Sequence, residues 1–296
     1  MSRGRAIAYA FCAPLLFFAV QFAVTMTAGM IYVAPKLDFS AGYQDQLYES
    51  VTLMQEMALA YSGHMAIVSC ALVIVIFMLA YRKRSPGLWE AVRLTGGADA
   101  GSIALAALAG ASLGIGTNAM LNGLPISEDM LAAYEEYSSQ LLSGNIVIVI
   151  IAAVLVIPFT EELVFRGFTH RYLARILKPW QAVTMQAVIF AMFHGNTLQA
   201  LFVLPSAFLM GAAYLWTRSL RASIAVHMAY NLSGFLFEGA FTAIMGESGE
   251  KPSDWLFAGL TAVGLTLAIY FAQCIKKRAA ALALAAETPP ERDSEA

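Results

Sequence analysis

Long uncharged runs separated by short polar connections dominate this chain. Each run has roughly the 20-residue length that an α-helix needs to cross a hydrocarbon core about 30 Å thick. The runs lie at residues 6–33, 57–81, 101–121, from 145 through a Glu-Glu pair, 180–194, 198–216, 223–245 and 255–275. The pattern predicts an all-α fold, a polytopic transmembrane helix bundle of about eight spans.

The third run is rich in small residues, among them Gly110, Gly114 and Gly116. Small residues at such spacing allow the backbones of two helices to approach closely inside a bilayer. We therefore expect this run to pack tightly against neighbouring helices.

Composition supports a membrane protein. The hydrophobic set makes up 59% of the residues, and only 13% are charged. Soluble domains are about 25% charged, so this chain has too few charges to cover a water-facing surface. Its three cysteines, Cys12, Cys70 and Cys274, lie in or beside apolar runs without metal-type spacing. They are expected to be membrane-buried thiols, not a disulfide framework or a zinc site.

Basic residues predict the orientation, because cytoplasmic connections carry an excess of Lys and Arg. With the N-terminus inside, all of the 18 basic residues except Lys36 and Lys251 fall on inner segments. Both termini are therefore predicted to be cytoplasmic. Residues 1–278 are predicted to form one integral-membrane domain, and residues 279–296 a polar, disordered cytoplasmic tail. The compact connections favour a multi-pass protein of a bacterial plasma (inner) membrane.

The segment T-E-E-L-V-F-R at residues 160–166 places two carboxylates and an arginine inside the fourth run. Ionisable residues inside a membrane are costly, and they usually mark a functional site. Glu162 and Arg166 are four residues apart and share a helix face, so Arg166 can neutralise Glu162. Glu161 points about 100° away from that pair and is predicted to be the group that acts. Pro158, just before the pair, is expected to kink the helix.

Two further polar groups follow in later runs. His194 ends the fifth run, and His227 and Asn231 share a face of the seventh because they are four residues apart. The basic turn at Lys178 is about equally far from Glu161 and His194 along the chain. A hairpin at that turn would bring both residues, with His227, to one level in the inner half of the bilayer.

The ordered set Glu-Glu-x-x-x-Arg, Phe-x-x-x-His and His-x-x-x-Asn resembles the CPBP family over about residues 145–240. These are the CAAX proteases and bacteriocin-processing enzymes, also called type II CAAX prenyl endopeptidases. The resemblance implies an intramembrane endopeptidase with an eight-helix core and a catalytic cavity open to the cytosol.

The same resemblance implies a role for each motif residue. Glu161 would activate the attacking water, and His194 would help to bind or deprotonate it. His227 and Asn231 would stabilise the oxyanion. The supporting residues would be Glu162 and Arg166. These roles agree with the chemistry of peptide hydrolysis, which needs a base for water and donors for a tetrahedral oxyanion.

The sequence leaves two possibilities for the cofactor, namely no cofactor or a divalent metal. Glu161, His194 and His227 are plausible ligands for zinc or another divalent cation, with water in an open fourth position. The chain has no His-Glu-x-x-His motif, and the family is described both as metal-dependent and as a metal-free glutamate protease type.

The remaining histidines and aromatic residues are given simpler roles. His64 is predicted to be an ordinary polar residue, and His170 an interfacial or solvated one. Phe165 and Phe190 are predicted to serve in packing.

Two rival functions stay open beside the peptidase. One is a proton- or ion-coupled transporter that uses Glu161 and the histidines as a relay. The other is a catalytically silent membrane immunity or partner-binding protein. The predicted partners are a membrane-associated protein or peptide substrate, prenylated or not, and the lipid bilayer, with no nucleic acid.

Overall fold

The computed structural model describes residues 2–248 and 253–287, and the regular structure of these residues is helical. Ten helices follow one another in this part of the chain. They are α1 (Arg3–Val33), α2 (Tyr43–Tyr81), α3 (Leu88–Ala91), α4 (Ala100–Gly123), α5 (Glu128–Leu141), α6 (Ile146–Leu173), α7 (Pro179–Met192), α8 (Thr197–Thr217), α9 (Leu220–Ser248) and α10 (Asp254–Glu287).

Six of these helices are long and apolar enough to cross a membrane: α1, α2, α4, α6, α8 and α10. The chain is therefore an integral multi-pass membrane protein with six candidate spans among the described residues, and the count of about eight spans stays a prediction. The fifth run forms α7, whose 14 residues extend only about 21 Å, less than the hydrocarbon core. The seventh run forms α9, where polar residues such as His227, Asn231 and Glu238 dilute the apolar sequence.

The last helix passes Arg278, where the membrane domain was predicted to end, and continues to Glu287. Residues 279–287 of the predicted tail are thus helical, and residues 288–296 lie outside the described part of the chain.

The chain divides into two compact units. Unit 1 comprises Met1–Val92 and Leu124–Phe208, and unit 2 comprises Arg93–Gly123 and Leu209–Ala296. The single membrane domain over residues 1–278 stays a prediction.

The centre of unit 1 is the second half of α6. The eight residues Leu163–His170 are all buried, and their backbone is π-helical. This segment packs under α1, where the Thr169 hydroxyl donates to the carbonyl oxygen of Ala10 at 2.8 Å. It also packs on α2 through the stacked rings of Phe77 and Phe168.

Pro158 does not interrupt α6. A π-helical turn, Ile151–Val156, comes just before it, and the helix continues through the Glu-Glu pair. Proline lacks an N–H and clashes with the preceding turn of an α-helix, and a wider turn is one way to accommodate it. Such π-helical insertions are frequent at functional sites.

Unit 2 is organised around α4, which lies against α9 and α10 at glycine positions. A Cβ atom at Gly110 would collide with the backbone of Val226 on α9, and one at Gly114 would lie 2.7 Å from the Tyr230 carbonyl oxygen. A Cβ atom at Gly264 of α10 would lie 2.6 Å from the Cα of Gly116. The tight packing predicted for the third run is therefore confirmed.

This packing predicts that Gly110→Ala destabilises the protein, because α4 and α9 must separate to admit the methyl group. We expect the free energy of unfolding to fall by about 1–3 kcal/mol, as for other overpacked sites. The matched control is Gly259→Ala on α10, where an added Cβ would meet no atom within 4 Å. Thermal unfolding in detergent measures both variants, and an equal transition temperature for the two would contradict the packing account.

Candidate functional site

The predicted pairing of Glu162 with Arg166 is present in unit 1. The Nη1 atom of Arg166 lies 2.6 Å from Oε1 of Glu162, and both side chains are fully buried. The Nη2 atom of Arg166 donates to the carbonyl oxygen of Ala207 on α8 at 3.0 Å. The arginine therefore fixes the Glu-Glu turn of α6 against α8 without reaching solvent.

Glu161 differs from its neighbour in exposure. It is only partly buried, whereas Glu162 and Thr160 on either side are fully buried. The Cys70 thiol of α2 meets the Thr160 hydroxyl beside it, and the charge of the Glu161 carboxylate acts on that thiol and on the Tyr137 phenol of α5. The adjacent glutamates thus lie in two environments, because Glu162 is fully buried beside an arginine and Glu161 is partly exposed.

Phe190 of α7 links the arginine to the first histidine. The guanidinium carbon of Arg166 lies 4.6 Å from the centre of the Phe190 ring, a cation–π arrangement. On the same ring, His194 makes an edge contact with a centroid distance of 4.8 Å, and Phe165 makes another at 4.9 Å. Phe190 therefore contacts both the arginine and His194, and it sets the position of the histidine relative to the ion pair.

The tautomer of His194 follows from its backbone contact. Its Nδ1 atom lies 2.9 Å from the carbonyl oxygen of Phe190. A carbonyl oxygen can only accept, so Nδ1 carries a proton, and in the neutral imidazole Nε2 then presents a lone pair. His194 is partly exposed, and Nε2 is the ring atom able to accept a proton from water or to bind a cation.

A short turn after His194 ties the site to α5. Gly195 adopts the left-handed conformation, with φ of 72°, and lets the chain reverse into α8. The side-chain amide of Asn196 donates to the carbonyl oxygen of Ala133 at 3.2 Å. Helix α5 is therefore attached at the end of α7 that carries His194.

The second pair of predicted residues belongs to unit 2. His227 and Asn231 lie one turn apart on α9, and His227 is buried while Asn231 is partly buried. Next to them, Tyr230 is hydrogen bonded to Thr117 of α4 at 3.1 Å. Unit 1 thus brings together Glu162, Arg166 and His194 through Phe190, and the joining of this set with His227 and Asn231 stays a prediction.

One expectation for the histidines is wrong. His170 was expected at an interface or in solvent, but it is only 4% exposed. The end of α6 does not project as a free hairpin, because Thr169 and Tyr172 on either side of His170 contact α1. His64 is exposed and lies against the ring of Tyr61.

Two neighbours of Glu161 were missed from the sequence, namely Cys70 and Tyr137. Burial, and next the negative charge of Glu161, raises the pKa of the Tyr137 phenol, so this side chain is a neutral donor at neutral pH. A signal existed for Tyr137: it is three residues from Tyr134 on a helix whose other residues are mostly polar or acidic. No pattern in the sequence singles out Cys70.

The metal predicted at Glu161, His194 and His227 stays a prediction, because these residues belong to both units. Within residues 2–248 and 253–287, no group of three or more His, Cys, Asp and Glu side chains could hold a metal ion.

Comparison with known families identifies the class of protein to which this arrangement belongs. Residues 143–233 match the family described as Rce1-like, type II CAAX prenyl endopeptidase Rce1-like. This part of the chain is a domain of that CPBP family, and membership implies an intramembrane peptidase. The matched range contains all three motifs. No curated protein and no solved structure matches the chain.

The buried ion pair generates a stability prediction. Glu162→Gln leaves the Arg166 charge buried without compensation, so we expect a loss of about 3–5 kcal/mol in unfolding free energy. Adding Arg166→Met to Glu162→Gln removes that charge and should recover part of the loss. Denaturant unfolding of both single variants and the double variant measures the coupling.

The exposed ion pair between Asp99 and Arg278 is the matched control. Arg278→Met is expected to change stability little, because exposed pairs are screened by solvent. Equal effects of Arg166→Met and Arg278→Met would contradict the structural role given to Glu162 and Arg166.

Proposed function

We propose that the protein is an endopeptidase that hydrolyses a peptide bond of a membrane-associated protein or peptide. The substrate's membrane segment would lie beside the helices, and its scissile bond would enter next to Glu161. Two features of unit 1 support this proposal: the partial exposure of Glu161 and the lone pair on Nε2 of His194.

Glu161 is the general base in this mechanism. Its carboxylate takes a proton from a water molecule as the water oxygen attacks the carbonyl carbon of the scissile bond. A positioned base of this kind contributes typically 10²–10⁴-fold to a rate. His194 accepts a hydrogen bond from the same water through Nε2 and so orients the attacking lone pair.

His227 and Asn231 supply donors for the oxyanion of the tetrahedral intermediate. Donors that are fixed before the reaction and kept from bulk water stabilise developing charge most strongly. The proton held by Glu161 then passes to the leaving nitrogen as the C–N bond breaks. The products are a carboxylate and an amine.

Glu162 and Arg166 support the base without taking part in proton transfer. The 2.6 Å contact between them pairs the buried arginine with the buried carboxylate of Glu162. The observation that carries the proposal is the difference in burial between the adjacent carboxylates, because Glu162 is fully buried and Glu161 is partly exposed.

The activity test uses purified protein with membrane-anchored peptides, some prenylated and some not. We expect Glu161→Gln to reduce cleavage by about 10²–10⁴-fold, the range for a lost general base, and His194→Ala to reduce it strongly. The matched controls are Glu56→Gln and His64→Ala, which change the same residue types on α2 and should retain activity.

The outcomes separate the rival functions. Cleavage that persists in both site variants would remove Glu161 and His194 from the mechanism. Absence of cleavage of every peptide would favour the transporter, which a proton-flux assay in proteoliposomes detects, or the partner-binding protein. Treatment with a chelator tests for a metal cofactor. Loss of activity that zinc restores would show that catalysis needs a cation, and unchanged activity would show that it does not.

A further inference from the structure

Helix α5 has a partly buried side and an exposed acidic side. Its partly buried residues include Tyr134, Tyr137 and Ser138, which share a face because they are three or four positions apart. The four acidic residues of the helix are exposed. The Tyr137 phenol therefore lies on the side of α5 that packs against the rest of unit 1.

Two hydrogen bonds fix α5 on the remainder of unit 1. The side-chain amide of Asn196 donates to the Ala133 carbonyl oxygen at 3.2 Å. Just after the helix, the Ser62 hydroxyl of α2 donates to the Ser143 carbonyl oxygen at 3.3 Å. Tyr137 lies between these two attachments, four residues after the first carbonyl and six before the second. Its position is therefore set by α2 and by the turn between α7 and α8.

Tyr137 is related to both of the groups assigned to activate water. Ala133 and Tyr137 share a face of α5, so the phenol lies on the side of the helix that is attached to the turn after His194. The charge of the Glu161 carboxylate also acts on the phenol. Burial, and next this charge, raises the pKa of Tyr137. The hydroxyl therefore keeps its proton at neutral pH and is a neutral hydrogen-bond donor.

The negative charge of the site moves during peptide hydrolysis. It starts on Glu161 and, when this carboxylate takes a proton from the attacking water, it appears on the carbonyl oxygen of the scissile bond. A donor that is fixed beside the base, and that stays protonated, can then donate to this oxyanion. Its own proton stays on its oxygen throughout, and the proton taken from water goes from Glu161 to the leaving nitrogen.

We propose that the Tyr137 hydroxyl donates a hydrogen bond to the oxyanion of the tetrahedral intermediate. Unit 1 then supplies an oxyanion donor of its own, in addition to the donors assigned to His227 and Asn231. Tyr137 is a catalytic residue in this scheme, and Asn196 is a positioning residue that acts through Ala133. The inference rests on the proposed peptidase function.

Tyr137→Phe tests the donor, because it removes one oxygen atom and keeps the ring. We expect kcat to fall by about 10²–10³-fold, the range for one lost oxyanion donor. KM should stay unchanged, because the hydrogen bond is made only in the transition state. The matched control is Tyr48→Phe on α2, whose ring is exposed and whose loss of a hydroxyl should leave kcat unchanged. Thermal unfolding in detergent should give the same transition temperature for both variants and the wild type.

The outcomes of this substitution are distinct. An unchanged kcat for Tyr137→Phe would overturn the proposal. A raised KM with unchanged kcat would also overturn it, because the phenol would then bind the substrate and the transition state equally. A lowered transition temperature with unchanged kcat would assign Tyr137 to packing.

Binding of a transition-state analogue gives a second measurement. The probe is a membrane-anchored peptide with a phosphinate in place of the scissile amide, which presents a tetrahedral anionic centre. We expect Tyr137→Phe to weaken its binding by about the factor lost in kcat/KM, and Tyr48→Phe to leave it unchanged. Equal affinity of the wild type and Tyr137→Phe for the phosphinate would contradict an oxyanion donor.

Asn196→Ser tests how the phenol is positioned. The Asn196 side-chain oxygen also accepts from the Gln199 amide at the start of α8, at 3.0 Å, and serine preserves such a helix cap. Its shorter side chain does not reach the Ala133 carbonyl. We expect kcat to fall in Asn196→Ser and to fall no further when this change is added to Tyr137→Phe. Independent, additive losses would overturn the positioning role of Asn196.

The same assays separate a failure of this inference from a failure of the peptidase assignment. If the wild type cleaves, Glu161→Gln does not and Tyr137→Phe cleaves like the wild type, the donor role fails and the peptidase stands. If the wild type cleaves no peptide and does not bind the phosphinate, the peptidase assignment fails and the inference fails with it.

Discussion

The buried contact between Glu162 and Arg166 is the interaction on which the site depends. Two opposite charges without exposed surface persist because each meets the other and the arginine also meets the Ala207 carbonyl. The same guanidinium lies over Phe190, whose carbonyl and ring hold His194. One ion pair therefore determines where α6, α7 and α8 lie relative to one another within unit 1, and with them the two groups assigned to activate water.

Local spacing in the sequence was enough to predict the parts of this arrangement that depend on a single helix. The i,i+4 relation gave the ion pair, and the small residues of the third run predicted the close approach of α4 to its neighbours. The exposure difference between Glu161 and Glu162 also follows from the angle between adjacent helix positions. These features need no knowledge of which helices meet.

Features that depend on tertiary contacts were harder to predict from the sequence. The sequence indicated a turn at Pro179 and left open how deep the turn after His194 lies, and the apolar character of the fifth run did not show that Pro179 and Gly195 confine α7 to fewer residues than a span needs. His170 follows several apolar residues and precedes an arginine, and only its packing under α1 explains its burial. The approach of Tyr137 to Glu161 links α5 with α6 across a turn, a relation that no local periodicity encodes.

The shortness of α7 has a consequence for the backbone at the depth where this helix ends. A helix that ends short of the membrane surface leaves carbonyl and amide groups of its last turn and of the following loop at a depth where lipid cannot hydrogen bond them. Such backbone is tolerated only where protein or water satisfies it. At the Gly195 reversal the amides of Phe193, His194 and Gly195 donate to carbonyl oxygens within α7, so protein satisfies these main-chain donors beside His194 and the turn can lie where the helix stops.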